Sequence, residues 1–206
     1  MDSKKEALET LRLEMEKDDL LPLKKGATRL VFGVGNPDAA VLFIGEGPGY
    51  WEDQKGEPFV GNAGKFLDQL LHSIKLPRES VYITNVVHHR PPENRDPLPD
   101  EIAAYGKYLD KIIEIINPKI ISTLGRFSMG KFLPGVYISA VHGKVHKTFW
   151  KEKEMIIIPM YHPAAGLRRT DIKNQTVRDF LKIPEILSEI EDVEEEEENS
   201  EQMQLV

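Results

Sequence analysis

The sequence predicts an α/β protein, a three-layer α/β/α sandwich around a central, mostly parallel four-stranded sheet. Three observations carry this. Four short apolar runs, at residues 39–44 (AAVLFI), 81–84 (VYIT), 119–124 (KIISTL) and 155–159 (MIIIP), have the length and composition of strands buried on both faces. Stretches of helical periodicity alternate with them, and three of the four runs open into a loop dense in glycine, proline or polar residues. Open α/β sheets bind ligands at that edge, outside the carboxyl ends of their strands.

The elements follow in order. Ser3-Lys4-Lys5-Glu6 fits a capping box ahead of a helix carrying Ala7, Leu8, Leu11 and Met15. A loop through Pro22, Gly26 and Gly35-Asn36-Pro37-Asp38 leads to the first strand. After it comes the long loop GEGPGYWEDQKGEPFVGNAG, then a helix with Phe66, Leu67, Leu70, Leu71 and Ile74 on one side. The second strand ends at Asn85, and the loop HHRPPENRDPLP precedes a helix over about residues 100–116. Gly125-Arg126 starts a short helix after the third strand, Tyr161-His162-Pro163 follows the fourth, and a last helix spans about residues 173–187.

At 206 residues the chain fits one domain, residues 1–187, followed by a disordered acidic tail at 188–206. The net charge of −7 belongs to that tail: ten acidic and no basic residues follow Pro184, while the first 183 residues hold 24 acidic and 27 basic ones. A nucleic-acid partner is therefore not excluded by charge. The chain has no cysteine, which removes disulfides, thiolate zinc sites, cysteine-ligated iron–sulfur clusters and thiol nucleophiles. No apolar run reaches the ~18–20 residues of a membrane helix, and MDSKKEALET has no signal-peptide core, so a cytoplasmic location is expected; the chain is separately expected to act as a monomer.

Gly45-Glu46-Gly47-Pro48-Gly49 invites a nucleotide-loop reading, but its third glycine comes one position early and no helix follows at once. Gly64-Lys65 fails as a phosphate loop, with Phe59 in place of the first glycine and Phe66 in place of Ser or Thr. Phe59 fits either a plug on the core or, with Gly56, Gly61 and Gly64 around it, a stacking face. Asn85 fits either a turn cap or a carboxamide that reads a nucleobase edge as donor and acceptor together. His162 fits a structural position or a donor to a leaving anion. His88, His89, His142 and His146 lack metal-ligand spacing and read as surface or strand residues. Arg90, Arg95, Arg126, Arg168 and Arg169 lie in or beside the same loops, where they fit phosphate contacts or plain solvation.

Taken together, VFGVGNPDA, FIGEGPGYWEDQKGEPFVGNAGKFLDQLL, VYITNVVHHRPPENRDPLPDEI, YLDKIIEIINPKIISTLGR and IPMYHPAAGLRR resemble the uracil-DNA glycosylase superfamily, most closely its iron–sulfur type, family 4. The resemblance covers residues 21–182. It implies a catalytic Glu46 that orients or activates water, Gly47 allowing close backbone approach, Phe59 stacking on a flipped uracil, Asn85 reading its polar edge, and His162 binding uracil O2 as the bond breaks. Glu52 would support them. Arg90, Arg126, Leu167, Arg168 and Arg169 would meet DNA.

Two departures stand out. The positions matching the family's four cluster cysteines are Asp18, Leu21, His89 and Tyr105, so neither cluster nor other cofactor or metal is expected. Packing among Leu21, Tyr105 and the first helix must then hold the N-terminal segment. Gly166 stands where the family has a wedge leucine, which leaves Leu167 or Arg168 for that role. The histidine-bearing insertion of a covalently trapping branch is absent after Asn85, so turnover is expected. The implied activity is monofunctional hydrolysis of the deoxyuridine N-glycosidic bond, in single- or double-stranded DNA, leaving an abasic site. The alternatives are a same-fold glycosylase for hypoxanthine or mismatched thymine and a catalytically silent uracil-DNA binder. The acidic tail, ending Gln202-Met203-Gln204-Leu205-Val206, fits a solubilising tail, a competitor for the basic rim or a docking end for a protein partner.

Overall fold

The computed structural model describes residues 2–204; Leu205 and Val206, in the expected docking end, lie outside the described residues. Among these residues the strands form one sheet, ordered β1-β3-β2-β4-β6-β5. The four expected strands are its parallel centre: β2 (Val41–Gly45), β3 (Tyr82–Asn85), β4 (Ile120–Leu124) and β6 (Lys153–Met160). The sheet has six strands rather than four because an antiparallel strand flanks each edge, β1 (Val34–Gly35) on β3 and β5 (His146–Trp150) on β6.

Strand alternation divides the core in two. Leu42 and Ile44 of β2, Ile121 of β4 and Met155 and Ile157 of β6 face a layer built on α1 (Asp2–Lys17) and α4 (Pro99–Ile116). Their neighbours Val41, Phe43, Ile120, Leu124, Ile158 and Met160 face the opposite layer. That layer holds α3 (Asn62–Ser73), α8 (Thr170–Phe180) and the start of α9 (Ile183–Gln204). The period of two thus buries both sheet faces and yields the expected three layers.

Local chemistry accounts for the smaller elements. A short helix, α2 (Tyr50–Lys55), interrupts the first long loop and stops at Gly56, whose φ of 78° places it in the left-handed region. Two others, α5 (Arg126–Phe132) and α7 (Pro163–Arg168), begin directly after β4 and β6, and α6 (Ile138–Val141) lies between β4 and β5. The single last helix expected at 173–187 is broken in two, because Pro184 cannot donate its nitrogen to a continuing ladder. Ile186, Leu187 and Ile190 of α9 pack on the core, three residues past the expected domain limit at 187. Helical backbone continues to Gln204 through a glutamate run with no proline or glycine to interrupt it.

Candidate active site

The carboxyl ends of β2, β3, β4 and β6 open into a cleft of about 560 Å³. Strand register brings the loops together. Gly45 pairs with Asn85 across β2 and β3, Leu124 pairs with Met160 across β4 and β6, and the Gly125 N–H donates to Met160 O at 2.9 Å. Glu46, Gly47, Glu52, Phe59, Asn85, Arg126, His162 and Arg168 all line the cleft, although they span more than a hundred residues of sequence.

Phe59 sits in the left-handed region at φ 54°, which costs a non-glycine residue about 1–2 kcal/mol. The surrounding loop holds it there. Glu52 Oε1 accepts the Val60 and Gly61 N–H groups at 2.9 and 2.8 Å, and Arg78 donates to the Phe59 carbonyl at 3.1 Å. A Cβ on Gly64 would fall 1.7 Å from that carbonyl oxygen, so α3 can begin beneath Phe59 only with glycine there. The buried ring stacks beside His162, centroids 5.6 Å apart. Gly45 has the same purpose: a Cβ would lie 2.4 Å from Asn85 Oδ1 and 2.6 Å from the Phe59 ring. Asn85 is 1% exposed, and among the described residues nothing donates to its Oδ1. An unpaired buried carboxamide oxygen costs roughly 1–3 kcal/mol and is a feature that calls for a ligand.

His162 caps α7, and its Nδ1 accepts the Ala164 N–H at 3.2 Å. A ring nitrogen that accepts carries no proton, so the neutral imidazole is protonated at Nε2. Burial, aided by Arg168 and opposed by Glu52, lowers its pKa to about 4. His162 is a neutral donor at physiological pH. Glu46 follows β2 directly; burial and the charge of Asp96 raise its pKa, and Arg126 opposes that rise. Arg126 in turn pairs with Asp96.

The sequence matches a family model described as the uracil DNA glycosylase superfamily over residues 32–183. A type-4 uracil-DNA glycosylase of Archaeoglobus fulgidus is 47% identical over 170 residues, covering 80% of this chain and 85% of that protein. The corresponding enzyme of Sulfurisphaera tokodaii is 46% identical over 187 residues, 84% of each chain. That of Thermotoga maritima is 41% identical over 168 residues, 82% of this chain and 87% of its own. The chain belongs to the uracil-DNA glycosylase superfamily. It is therefore a glycosylase of the hydrolase class.

Within this uracil-DNA glycosylase fold, three of the residues singled out from sequence stand outside the cleft lining. Arg90 lies over the Tyr50 ring at 5.2 Å and donates to Asn94 at 2.7 Å. Leu167 is 49% exposed on α7, and Arg169 is bound to Asp171 at 2.6 Å. Sequence reasoning missed the ordering of Tyr161, which lines the cleft: its ring meets His142 at 4.5 Å, and His142 Nδ1 lies 2.6 Å from Asp179 Oδ2. No periodicity joins residues 142, 161 and 179, so only the fold reveals them.

The iron–sulfur group implied by the resemblance does not fit the residues present. Leu21 offers no donor and is buried in the core. Asp18 Oδ2 accepts from Lys107 and Tyr108, both at 2.8 Å, which holds its carboxyl down to about 2. His89 Nδ1 lies 2.8 Å from the Tyr105 hydroxyl. Among the described residues no group of three or more His, Cys, Asp or Glu could hold a metal. His88 and His89, expected at the surface or in a strand, are buried instead. His88 Nε2 donates at 3.1 Å to Thr84 Oγ1, whose own proton goes to the Phe32 carbonyl at 2.7 Å.

Proposed function

We propose that this protein is a monofunctional uracil-DNA glycosylase that works without an iron–sulfur cluster. The reading rests on one observation above all: a stacking ring, an unpaired base-reading carboxamide and a neutral imidazole donor line one cleft at the strand ends. The names of the type-4 relatives support uracil as the base.

The target nucleotide leaves the helix stack, at a cost of a few kcal/mol for unpairing, and its base enters beside Phe59. Asn85 pairs with the polar edge. A base with the wrong edge leaves that buried carboxamide unsatisfied, so discrimination is strong. As C1′–N1 breaks, the bonding electrons pass to uracil and charge gathers on O2. His162 Nε2–H donates to that oxygen, a preorganised hydrogen bond that strengthens as charge develops. Glu46 faces the sugar, favours its cationic character and orients the water that adds to C1′, with the water's proton passing to the carboxylate. Glu52 acts through the Phe59 loop that it holds. Arg126 and Arg168 are placed to meet phosphates on the cleft rim. Tyr105, His89, Asp18 and Tyr108 take over the strut that a cluster would provide between the N-terminal segment and α4.

Base choice is tested by release from oligonucleotides carrying uracil, hypoxanthine or thymine opposite guanine, with free uracil as competitor. Uracil release inhibited by free uracil is the expected result. Preferred release of hypoxanthine or thymine, or tight uracil-DNA binding without product, contradicts it.

A further inference from the structure

Beside the cleft, α2 presents two aromatic residues to solvent. Tyr50 is 49% exposed and Trp51 is 58% exposed. Their rings meet edge to face at 5.1 Å. Cleft-lining residues flank them in sequence, Gly49 before and Glu52 after, and the Trp51 ring reaches toward Gly61 beside the Phe59 loop. The Arg90 guanidinium lies over Tyr50 at 5.2 Å and bonds to Asn94, itself on the cleft wall. A ledge of two rings and one arginine thus continues the cleft outward, spanning the loops after β2 and β3.

We propose that Tyr50 and Trp51 form a stacking platform for an unpaired base neighbouring the target nucleotide in single-stranded DNA; this rests on the reading of the cleft as a uracil-DNA site. The chemistry favours that occupant. Aromatic faces accept any base by stacking, and an adjacent arginine supplies the positive charge that tracks the backbone. Arg168, on the cleft lining, adds positive charge on the same side of the molecule. In a duplex the neighbouring bases remain stacked on each other and offer no free face, so the platform selects for single strands.

The protein has two tryptophans, and the other, Trp150, lies on β5 against Phe132 and Lys151. In Trp150→Phe protein the tryptophan emission is that of Trp51. Titration with uracil-free oligothymidine should quench it by more than half, and a duplex of equal length at equal saturation, followed by anisotropy of a labelled strand, should quench it far less. Replacing Trp51 by Ala in the natural chain should lower the single-strand-to-duplex ratio of kcat/KM for base release about tenfold, the scale of one lost stack, with the loss in KM. Trp51→Phe should recover most of it. Bound oligothymidine without quenching, equal quenching by duplex, or an unchanged ratio in Trp51→Ala overturns the proposal. The quenching arm needs no base release, so it tests the platform even if the cleft proves to act on another base or on none.

Discussion

His162 decides how the cleft handles charge. A histidine whose Nδ1 accepts a backbone N–H, and whose pKa is lowered to about 4, cannot rely on a full positive charge near neutrality. In the proposed reaction it works as a neutral donor, effective only where negative charge develops. His162→Ala should therefore lower kcat by about 10²–10³, the usual effect of losing one such donor, with KM little changed. The pH profile separates it from Glu46. In the proposed reaction activity needs the Glu46 carboxylate, and burial together with Asp96 raises its pKa. The rate should thus fall on the acid side, at a pH above the ordinary carboxylate value of about 4.3, and that limb should vanish from the residual activity of Glu46→Gln. An acid limb centred near the free-histidine value of about 6.5 that disappears with His162 would contradict the assignment.

At the scale of elements, the tie between the N-terminal segment and α4 carries the main departure from the iron–sulfur pattern. Tyr105 of α4 is fully buried, and its hydroxyl lies 2.8 Å from His89 Nδ1, while Asp18 of the N-terminal segment accepts from Lys107 and Tyr108 of α4. Removing that hydroxyl in Tyr105→Phe leaves a buried imidazole nitrogen unpaired and should destabilise the fold by about 1–3 kcal/mol in urea unfolding. Uracil release at 25 °C should persist, because no residue of the strut lines the cleft. Unchanged stability would show that the strut lies elsewhere. The four central strands are legible because each is a continuous apolar run, and the cleft-lining loops because they follow those runs. Neither edge strand is: β1 has only two residues, and HKTFW in β5 is polar and half-exposed. The left-handed Phe59 is also hidden, since its conformation depends on Glu52, Arg78 and Gly64 meeting in three dimensions. The broken last helix could have been read from Pro184 alone.

For the whole molecule, two buried histidines, His88 and His89, and the half-buried His162 set the response to acid. His88, His89 and His162 have pKa values lowered to about 3, 4 and 4, all chiefly by burial. The folded protein keeps these rings neutral, whereas the unfolded chain protonates them near the free value of about 6.5. Unfolding therefore takes up protons below that value, so this stabilisation is fully present above about pH 6.5 and falls as the pH drops toward 4. Thermal midpoints should decline steadily from pH 7 to pH 4.5. A midpoint that is flat or rises over that interval would contradict neutral burial. In the proposed function a superfamily member with no cysteine excises uracil through Glu46, Asn85, Phe59 and His162 alone. This is tested most directly by measuring uracil release from a labelled single-stranded oligonucleotide, using chelator-treated protein of measured iron content beside His162→Ala. Release by iron-free wild type that falls at least a hundredfold in the variant is the expected result. Release that appears only when iron is restored, or that survives unchanged in His162→Ala, would contradict it.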